Sequence, residues 1–265
     1  MYSSSKLALK YFNYYFTSSN GKGHGTHSPF VFHFIKEVLN DRNKYGEYEA
    51  IENLRQQLSR DKAILTVEDF GAGSSVSKTN RRSIASITKN AAKPKKYGQL
   101  LFRMVKAYQP KSILELGTSL GITTSYLASA NPSTKVITME GASAIASIAR
   151  QNFSQLKLNN INIVEGNFDT TLSSVIDQLP SLDLAFIDGN HRQAPTEQYF
   201  QQLSPKINND SILVFDDIHW SEGMEKAWAT IQGNPAVRCT IDLFFIGIVL
   251  FRREFKEKQH FTIRF

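Results

Sequence analysis

The chain has 265 residues and a formal net charge of +7, enough for one large α/β domain and an N-terminal addition. Its single cysteine, Cys239, excludes a disulfide framework and any metal site built from several cysteines. Residues 1–11 do not resemble a secretory signal, and every apolar run is far shorter than the ~20 residues that span a bilayer. We therefore expect a cytoplasmic protein without a membrane span.

The charge is unevenly distributed along the chain. Residues 1–112 contain nineteen Lys and Arg against eight Asp and Glu, whereas residues 113–265 contain twelve against sixteen. The basic residues are densest between Lys78 and Lys111. Such a surface can attract an anionic partner such as nucleic acid, phospholipid or an acidic metabolite, and it can equally be an ordinary solvated face. Both interpretations stay open.

Residues 1–92 are predicted to form a mainly helical extension that serves as a lid or as a contact for substrate or a second copy. The aromatic cluster Tyr11–Phe16 is expected to pack on the body of the protein; contacts in a homodimer or at a membrane surface are alternatives. Ser28 and Pro29 are typical of a helix start, followed by apolar spacing from Phe30 to Val38. Two histidines of the preceding loop, His24 and His27, are candidates for substrate or metal contact or ordinary loop residues.

The segment Val67–Ser75 has acidic residues before a Gly-x-Gly. It is therefore an alternative candidate for the nucleotide-binding turn, besides the later turn at Gly117–Gly121. A nucleotide-binding unit of that type has an acidic residue ~20 positions further on. Residues 83–97 contain no carboxylate. We therefore interpret the segment as a loop or lid, followed by a short basic helix.

Residues 93–265 are predicted to form a doubly wound, Rossmann-like α/β domain, because strand-like and helix-like stretches alternate. Seven strands are expected, near residues 112–116, 135–139, 161–165, 183–187, 210–215, 237–243 and 246–252. Helices are expected near residues 120–130, 142–157, 170–179, 193–204 and 222–232. The last two strands leave no room for a crossover helix, so the final strand is predicted to be antiparallel.

The stretch from Ser112 to Ala130 carries the clearest functional signal, since it combines a buried strand, a glycine turn and a helix start. Gly117 and Gly121 bracket the turn with G-x-x-x-G spacing, which differs from the G-x-G-x-x-G of dinucleotide-binding folds. Glycine permits close approach of a ligand, and the first N–H groups of the helix can hold polar atoms. Glu115, just before the turn, suits a cationic ligand group. The pattern indicates S-adenosylmethionine.

Further polar residues follow the later strands, at the edge where ligands bind in open α/β sheets. Glu140 lies 23 residues beyond Gly117, and its carboxylate can accept hydrogen bonds from both ribose hydroxyls. The predicted cofactor contacts are Glu115, Gly117, Thr118, Ser119, Gly121, Thr123, Glu140, Gly141, Asn167, Phe168, Asp169 and Asp188. Asn190, His191, Asp216, Asp217, His219 and Trp220 also stand at strand ends, whereas Cys239 and Trp228 are expected to be core.

Residues 93–252 resemble class I S-adenosylmethionine-dependent methyltransferases, most closely the catechol-type, metal-assisted O-methyltransferases. The resemblance is carried by KKYGQLLFRMV, LELGTSLGITT, TMEG, EGNFD, FIDGNH and FDDIHW; together with GHGTHSPF these segments also resemble uncharacterised bacterial methyltransferases. It implies that Gly117, Ser119 and Thr123 hold the methionine end of the cofactor. It also implies ribose contact by Glu140 and adenine contact by Phe168 and Asp169.

The same resemblance implies a divalent cation, Mg²⁺, held by Asp188, Asp216 and Asp217. Oxygen ligands with open positions suit this ion. The catechol enzymes carry a lysine base three residues after the first metal aspartate, and this chain has His191 there, which can take a proton near neutral pH. Alternatively, Asp188 faces the cofactor, Asp216 caps the next helix and His191 is a loop residue.

Three functions are compatible with these features. The leading hypothesis is O-methylation of a small molecule, with catalytic roles for His191 and Asp188. The second is methylation of RNA or another nucleic acid, which would use the basic N-terminal half of the chain. The third is a non-catalytic, cofactor-binding regulatory protein, suggested by the missing lysine. A dehydrogenase is disfavoured by the glycine spacing.

Overall fold

The computed structural model describes residues 1–23, 27–67 and 80–265. The helices are α1 (Ser4–Thr17), α2 (Pro29–His33), α3 (Gly46–Leu58), α4 (Ile84–Ala91), α5 (Lys95–Tyr108), α6 (Ile122–Ser129), α7 (Ser143–Gln155), α8 (Phe168–Asp177), α9 (Gln193–Leu203) and α10 (Glu222–Gly233). The strands are β1 (Ile64–Thr66), β2 (Arg81–Ser83), β3 (Ser112–Leu116), β4 (Lys135–Glu140), β5 (Ile161–Glu165), β6 (Leu182–Ile187), β7 (Ile207–Asp216), β8 (Cys239–Asp242), β9 (Ile246–Leu250) and β10 (Gln259–Thr262).

Within the described residues, the main sheet has eight strands in the order β10-β8-β9-β7-β6-β3-β4-β5. The predicted Rossmann-like α/β class is therefore confirmed, and the predicted number of seven strands is wrong. The additional strand, β10, has only four residues and pairs in parallel with β8. Its sequence, QHFT, is too short and too polar to give a strand signal of its own. The predicted antiparallel strand is β9, which runs antiparallel to both β7 and β8.

The described residues divide into two compact units. The first unit comprises Met1–Asn40 and Ser173–Phe265, and the second comprises Asp41–Leu172. In the second unit β3, β4 and β5 are parallel neighbours, which brings their carboxyl ends to one edge. In the first unit β6 and β7 are parallel, so the residues after Ile187 and Phe215 lie side by side.

The helical N-terminal segment is confirmed, and its second helix begins where the sequence indicates. Ser28 caps α2 through a 3.4 Å hydrogen bond from the Val31 N–H to its hydroxyl, and Pro29 is the first helical residue. The helix continues as a π-helical turn over Phe34–Leu39, whose apolar side chains are buried. Cys239 and Trp228 are core residues, as predicted.

Two predicted features lie outside the described residues. They are His24 and nearly all of the glycine segment Val67–Ser75, of which only Val67 is described. Within the described ranges, no helix is both long and apolar enough to cross a membrane.

Candidate active site

The turn between β3 and α6 is closely packed in the second unit. Gly117 and Gly121 have φ angles of 107° and 78°, the left-handed region that favours glycine. A Cβ atom on Gly121 would lie 2.4 Å from the Phe153 ring. The N–H groups of Gly117 and Thr118 both donate to the Met139 carbonyl at 3.0 Å. The backbone is thus fixed next to the first N–H groups of α6, which have no partner within the helix.

Glu115 is fully buried beside this turn. Its Oε2 atom accepts hydrogen bonds from the hydroxyls of Thr124 and, at 2.6 Å, Thr138. Its Oε1 atom is buried without a hydrogen-bond partner among the described residues. Burial raises the pKa of this carboxyl to about 7, against the opposing effect of the two hydroxyls. One acceptor oxygen is therefore available to a cationic group, which fits the predicted cofactor contact.

Thr124 was missed by the sequence analysis, although it aligns the Glu115 carboxylate. The available signal was the polar run of Thr123, Thr124 and Ser125 in a helix that is otherwise apolar. All three side chains are buried. Buried hydroxyls need partners, and here one of those partners is the carboxylate.

Glu140 stands at the tip of β4 and ties the glycine turn to the next helix. Its Oε2 accepts the Ser119 N–H at 2.8 Å, and its Oε1 accepts the Ala142 N–H at 3.0 Å. Burial raises its pKa, while N–H donors from Ser119, Gly141 and Ala142 oppose the shift. A carboxylate in this position has lone pairs left for hydroxyl donors, as ribose contact requires.

The residues predicted for adenine follow β5 in the same unit. The Gly166 N–H donates to the Glu140 carbonyl at 2.9 Å, which joins the tips of β4 and β5. Asn167 accepts the Asp169 N–H at 3.0 Å and so caps the start of α8. The Phe168 side chain is half-buried, and Asp169 is exposed. Every predicted cofactor residue except Asp188 thus belongs to the second unit.

In the first unit the ends of β6 and β7 assemble a group of two carboxylates and one imidazole. Asp188, His191 and Asp216 each offer a ligand atom, and these atoms lie within 4.8 Å of one another. His191 Nε2 is 3.5 Å from Asp188 Oδ1. Asp216 is buried, and the other two side chains are half-buried. Carboxylates with an open side suit Mg²⁺, and an added imidazole also suits transition metals.

The predicted metal trio differs from this group in one member. Asp217 is not part of it among the described residues, and His191 takes its place. The Asp217 backbone has a φ of 54°, and its N–H donates to the Phe245 carbonyl at 2.6 Å.

His219, also noted at a strand end, belongs to a separate network in the first unit. Its Nδ1 lies 2.9 Å from Glu225 Oε1, and its Nε2 lies 2.8 Å from Asp242 Oδ2. Burial by itself would lower the His219 pKa, but the hydrogen bonds and charges of these two carboxylates outweigh it and raise the pKa. Both ring nitrogens are therefore engaged in structural contacts.

Comparisons with known proteins agree with this architecture. Residues 114–218 match the family model described as a methyltransferase domain. A catechol O-methyltransferase of Niastella koreensis is 27% identical over 167 residues, covering 57% of this chain and 74% of that protein.

Two solved structures are similar in fold. One is an O-methyltransferase from Bacillus cereus in complex with SAH, with a TM-score of 0.56 and 18% identity over 83% of this chain and 97% of that one. The other is the O-methyltransferase TomG from Streptomyces achromogenes, which is involved in tomaymycin synthesis and was crystallised with SAM. Its TM-score is 0.53 at 17% identity, covering 62% of this chain and 82% of that one.

Proposed function

We propose that this chain, whose residues 114–218 match a methyltransferase-domain model, is a class I methyltransferase that transfers a methyl group from S-adenosylmethionine to a hydroxyl oxygen of a small molecule. The observation that carries the donor assignment is the buried Glu115 with one unpartnered oxygen beside a glycine turn. A cationic ammonium group satisfies that oxygen, whereas a pyrophosphate would be repelled by it. Glu140 is the ribose acceptor in this proposal.

The Asp188–His191–Asp216 group is proposed to hold and deprotonate the acceptor. A divalent cation, when bound, lowers the pKa of an acceptor hydroxyl and fixes the position of its oxygen. Asp188 and Asp216 would supply the carboxylate oxygens that hold this cation. We assign His191 as the group that takes the hydroxyl proton, because its imidazole can accept a proton and its Nε2 lies 3.5 Å from Asp188 Oδ1. Holding the acceptor oxygen in line with the methyl group contributes most to the rate.

The donor assignment is tested by calorimetric titration with S-adenosylmethionine. We expect binding by the wild type and at least tenfold weaker binding by Glu140→Ala, since the ribose hydroxyls lose a charged acceptor. Glu165→Ala is the matched control, because Glu165 pairs with Glu140 in register but is exposed and bonded to Arg150. Absence of binding by the wild type, or equal losses in both variants, would refute the assignment.

A second titration separates the two roles open to His191. We expect His191→Ala to keep the affinity of the protein for Mg²⁺ or Mn²⁺ while methylation of a catechol probe, followed by mass spectrometry, falls at least a hundredfold. Asp216→Asn, in contrast, is expected to weaken metal binding itself. If His191→Ala loses metal affinity as strongly as Asp216→Asn does, His191 is a ligand and the proposed base is wrong.

A further inference from the structure

Helix α1 is fixed to the first unit along one of its faces. The Tyr14 hydroxyl donates to the Ile263 carbonyl and accepts the Phe265 N–H at 3.1 Å. Lys10 Nζ lies 2.9 Å from Glu225 Oε1, and the Tyr2 hydroxyl donates to the other oxygen of that carboxylate at 2.8 Å. These contacts hold the helix in one orientation, so its opposite face is presented to the outside.

The outward face of α1 is apolar. Leu9, Phe12 and Phe16 follow i, i+3, i+7 spacing, which places them on one side of the helix. Their exposed fractions are 70%, 59% and 75%. We call these three residues the α1 apolar face. A helix of a globular protein normally turns such a stripe toward its core, and a clustered exposed patch commonly marks an interaction site.

Positive charge borders the α1 apolar face on both sides. On one flank, Lys6 is exposed one turn before the α1 apolar face. Lys6 and Asn13 of this flank line a cavity of about 390 Å³. On the other flank, the Arg264 guanidinium lies 4.3 Å from the centre of the Tyr15 ring. Residues 1–36 contain four lysines and no Asp or Glu. The apolar face therefore has a cation on each flank.

We propose that the α1 apolar face inserts into the surface of a membrane that contains anionic phospholipid. Amphipathic helices of this kind bury an apolar face at the depth of the headgroups while adjacent Lys and Arg contact anionic lipids. Leu9, Phe12 and Phe16 enter the acyl boundary, and Lys6 and Arg264 meet headgroup phosphates. The first unit provides the rigid support that keeps the helix ordered before contact.

A second copy of the chain fits this face less well, for two reasons. Side chains of about 150–250 Å² at the exposed fractions above present roughly 400 Å², about half of the ~800 Å² per partner that a stable interface buries. A two-fold contact would also place the Lys6 and Arg264 charges of one copy close to those of the other, which is unfavourable. Charge complementarity thus favours the anionic lipid surface.

Sedimentation with vesicles tests this proposal with the full chain. We expect the wild type to bind vesicles of equal phosphatidylcholine and phosphatidylglycerol at least tenfold better than vesicles of phosphatidylcholine alone, and to release them as salt increases. The triple variant Leu9→Ser, Phe12→Ser, Phe16→Ser should lose at least tenfold of the binding. Ile64→Ser, which changes a side chain 57% exposed in the second unit, should not.

Lys6→Glu should weaken binding to the anionic vesicles and leave the weak binding to phosphatidylcholine unchanged. Circular dichroism and titration with S-adenosylmethionine provide the folding controls, because all substituted side chains are exposed. Failure of the wild type to bind the mixed vesicles, or unchanged binding by the triple variant, would overturn the proposal. So would conversion of a wild-type dimer into a monomer by the triple substitution, since a second copy would then cover the face.

Discussion

Replacing Glu115 by Gln is expected to remove a pH dependence of stability that its buried carboxylate imposes on the protein. The pKa of Glu115 is raised from its ordinary 4.5 to about 7, chiefly by burial. The folded state therefore binds the Glu115 proton more tightly than the unfolded state does. Stability contributed by the protonated form is fully present below pH 4.5 and falls as pH rises toward 7.

The magnitude follows from the difference between the two pKa values. A shift from 4.5 to about 7 corresponds to about 3 kcal/mol of unfolding free energy, lost between those pH values. Gln keeps the shape of the side chain, and the hydroxyls of Thr124 and Thr138 can rotate to suit an amide. Between pH 4.5 and 7, the wild type should therefore lose about 3 kcal/mol of unfolding free energy relative to Glu115→Gln.

Cofactor binding should follow the same titration with the opposite sign. An ammonium group prefers the ionised carboxylate, so the wild-type affinity for S-adenosylmethionine is expected to rise by up to about tenfold per pH unit below pH 7 and to level off above it. Glu115→Gln should bind S-adenosylmethionine more weakly than the wild type at pH 8. Its affinity should also lack the part of the increase with pH that comes from ionisation of Glu115. The remaining rise would report Glu140, whose pKa is also raised.

Urea unfolding followed by circular dichroism, together with calorimetric titrations across pH 4.5–8, measures both quantities. Glu165→Gln is the control, since Glu165 is exposed and its pKa is lowered by the hydrogen bond from Arg150. Parallel curves for the wild type and Glu115→Gln, in stability and in affinity, would refute the argument from the buried carboxylate.

Two further predictions concern the packing of each unit. Gly121→Ala should lower the unfolding free energy by about 2–5 kcal/mol, from a left-handed alanine and its contact with the Phe153 ring. Gly46→Ala, with nothing within 4 Å of the new Cβ, is its control, and equal stabilities of the two variants would contradict the reasoning. The pKa of His219 is raised above its ordinary value of 6.5 in the folded state, so protonated His219 stabilises that state. This stabilisation is fully present below pH 6.5 and is lost as pH rises through the folded pKa, so proteolysis of α1 should accelerate over that range. His219→Gln should abolish this acceleration, and an unchanged pH profile in that variant would rule out His219 as its origin.

The methyltransferase assignment was available from the sequence because it depends on the order of residues at successive strand ends. Gly117, Gly121 and Glu140 lie in short segments whose local pattern specifies strand, turn and helix, and the match of residues 114–218 to a methyltransferase-domain family model agrees with the assignment. The α2 cap at Ser28 was predictable for the same reason, since capping depends on residues within one turn.

Other features depend on contacts between distant parts of the chain. β10 is a strand because it pairs with β8, and its four residues carry no sufficient pattern. The grouping of Asp188 and His191 with Asp216 depends on the parallel pairing of β6 with β7, which no local motif predicts. Local periodicity and turn chemistry therefore determined the sheet type and indicated the segments that we propose to bind the cofactor. Tertiary packing decided which carboxylates lose water, which side chains meet, and which face of α1 stays exposed, because burial and pairing are properties of the assembled chain.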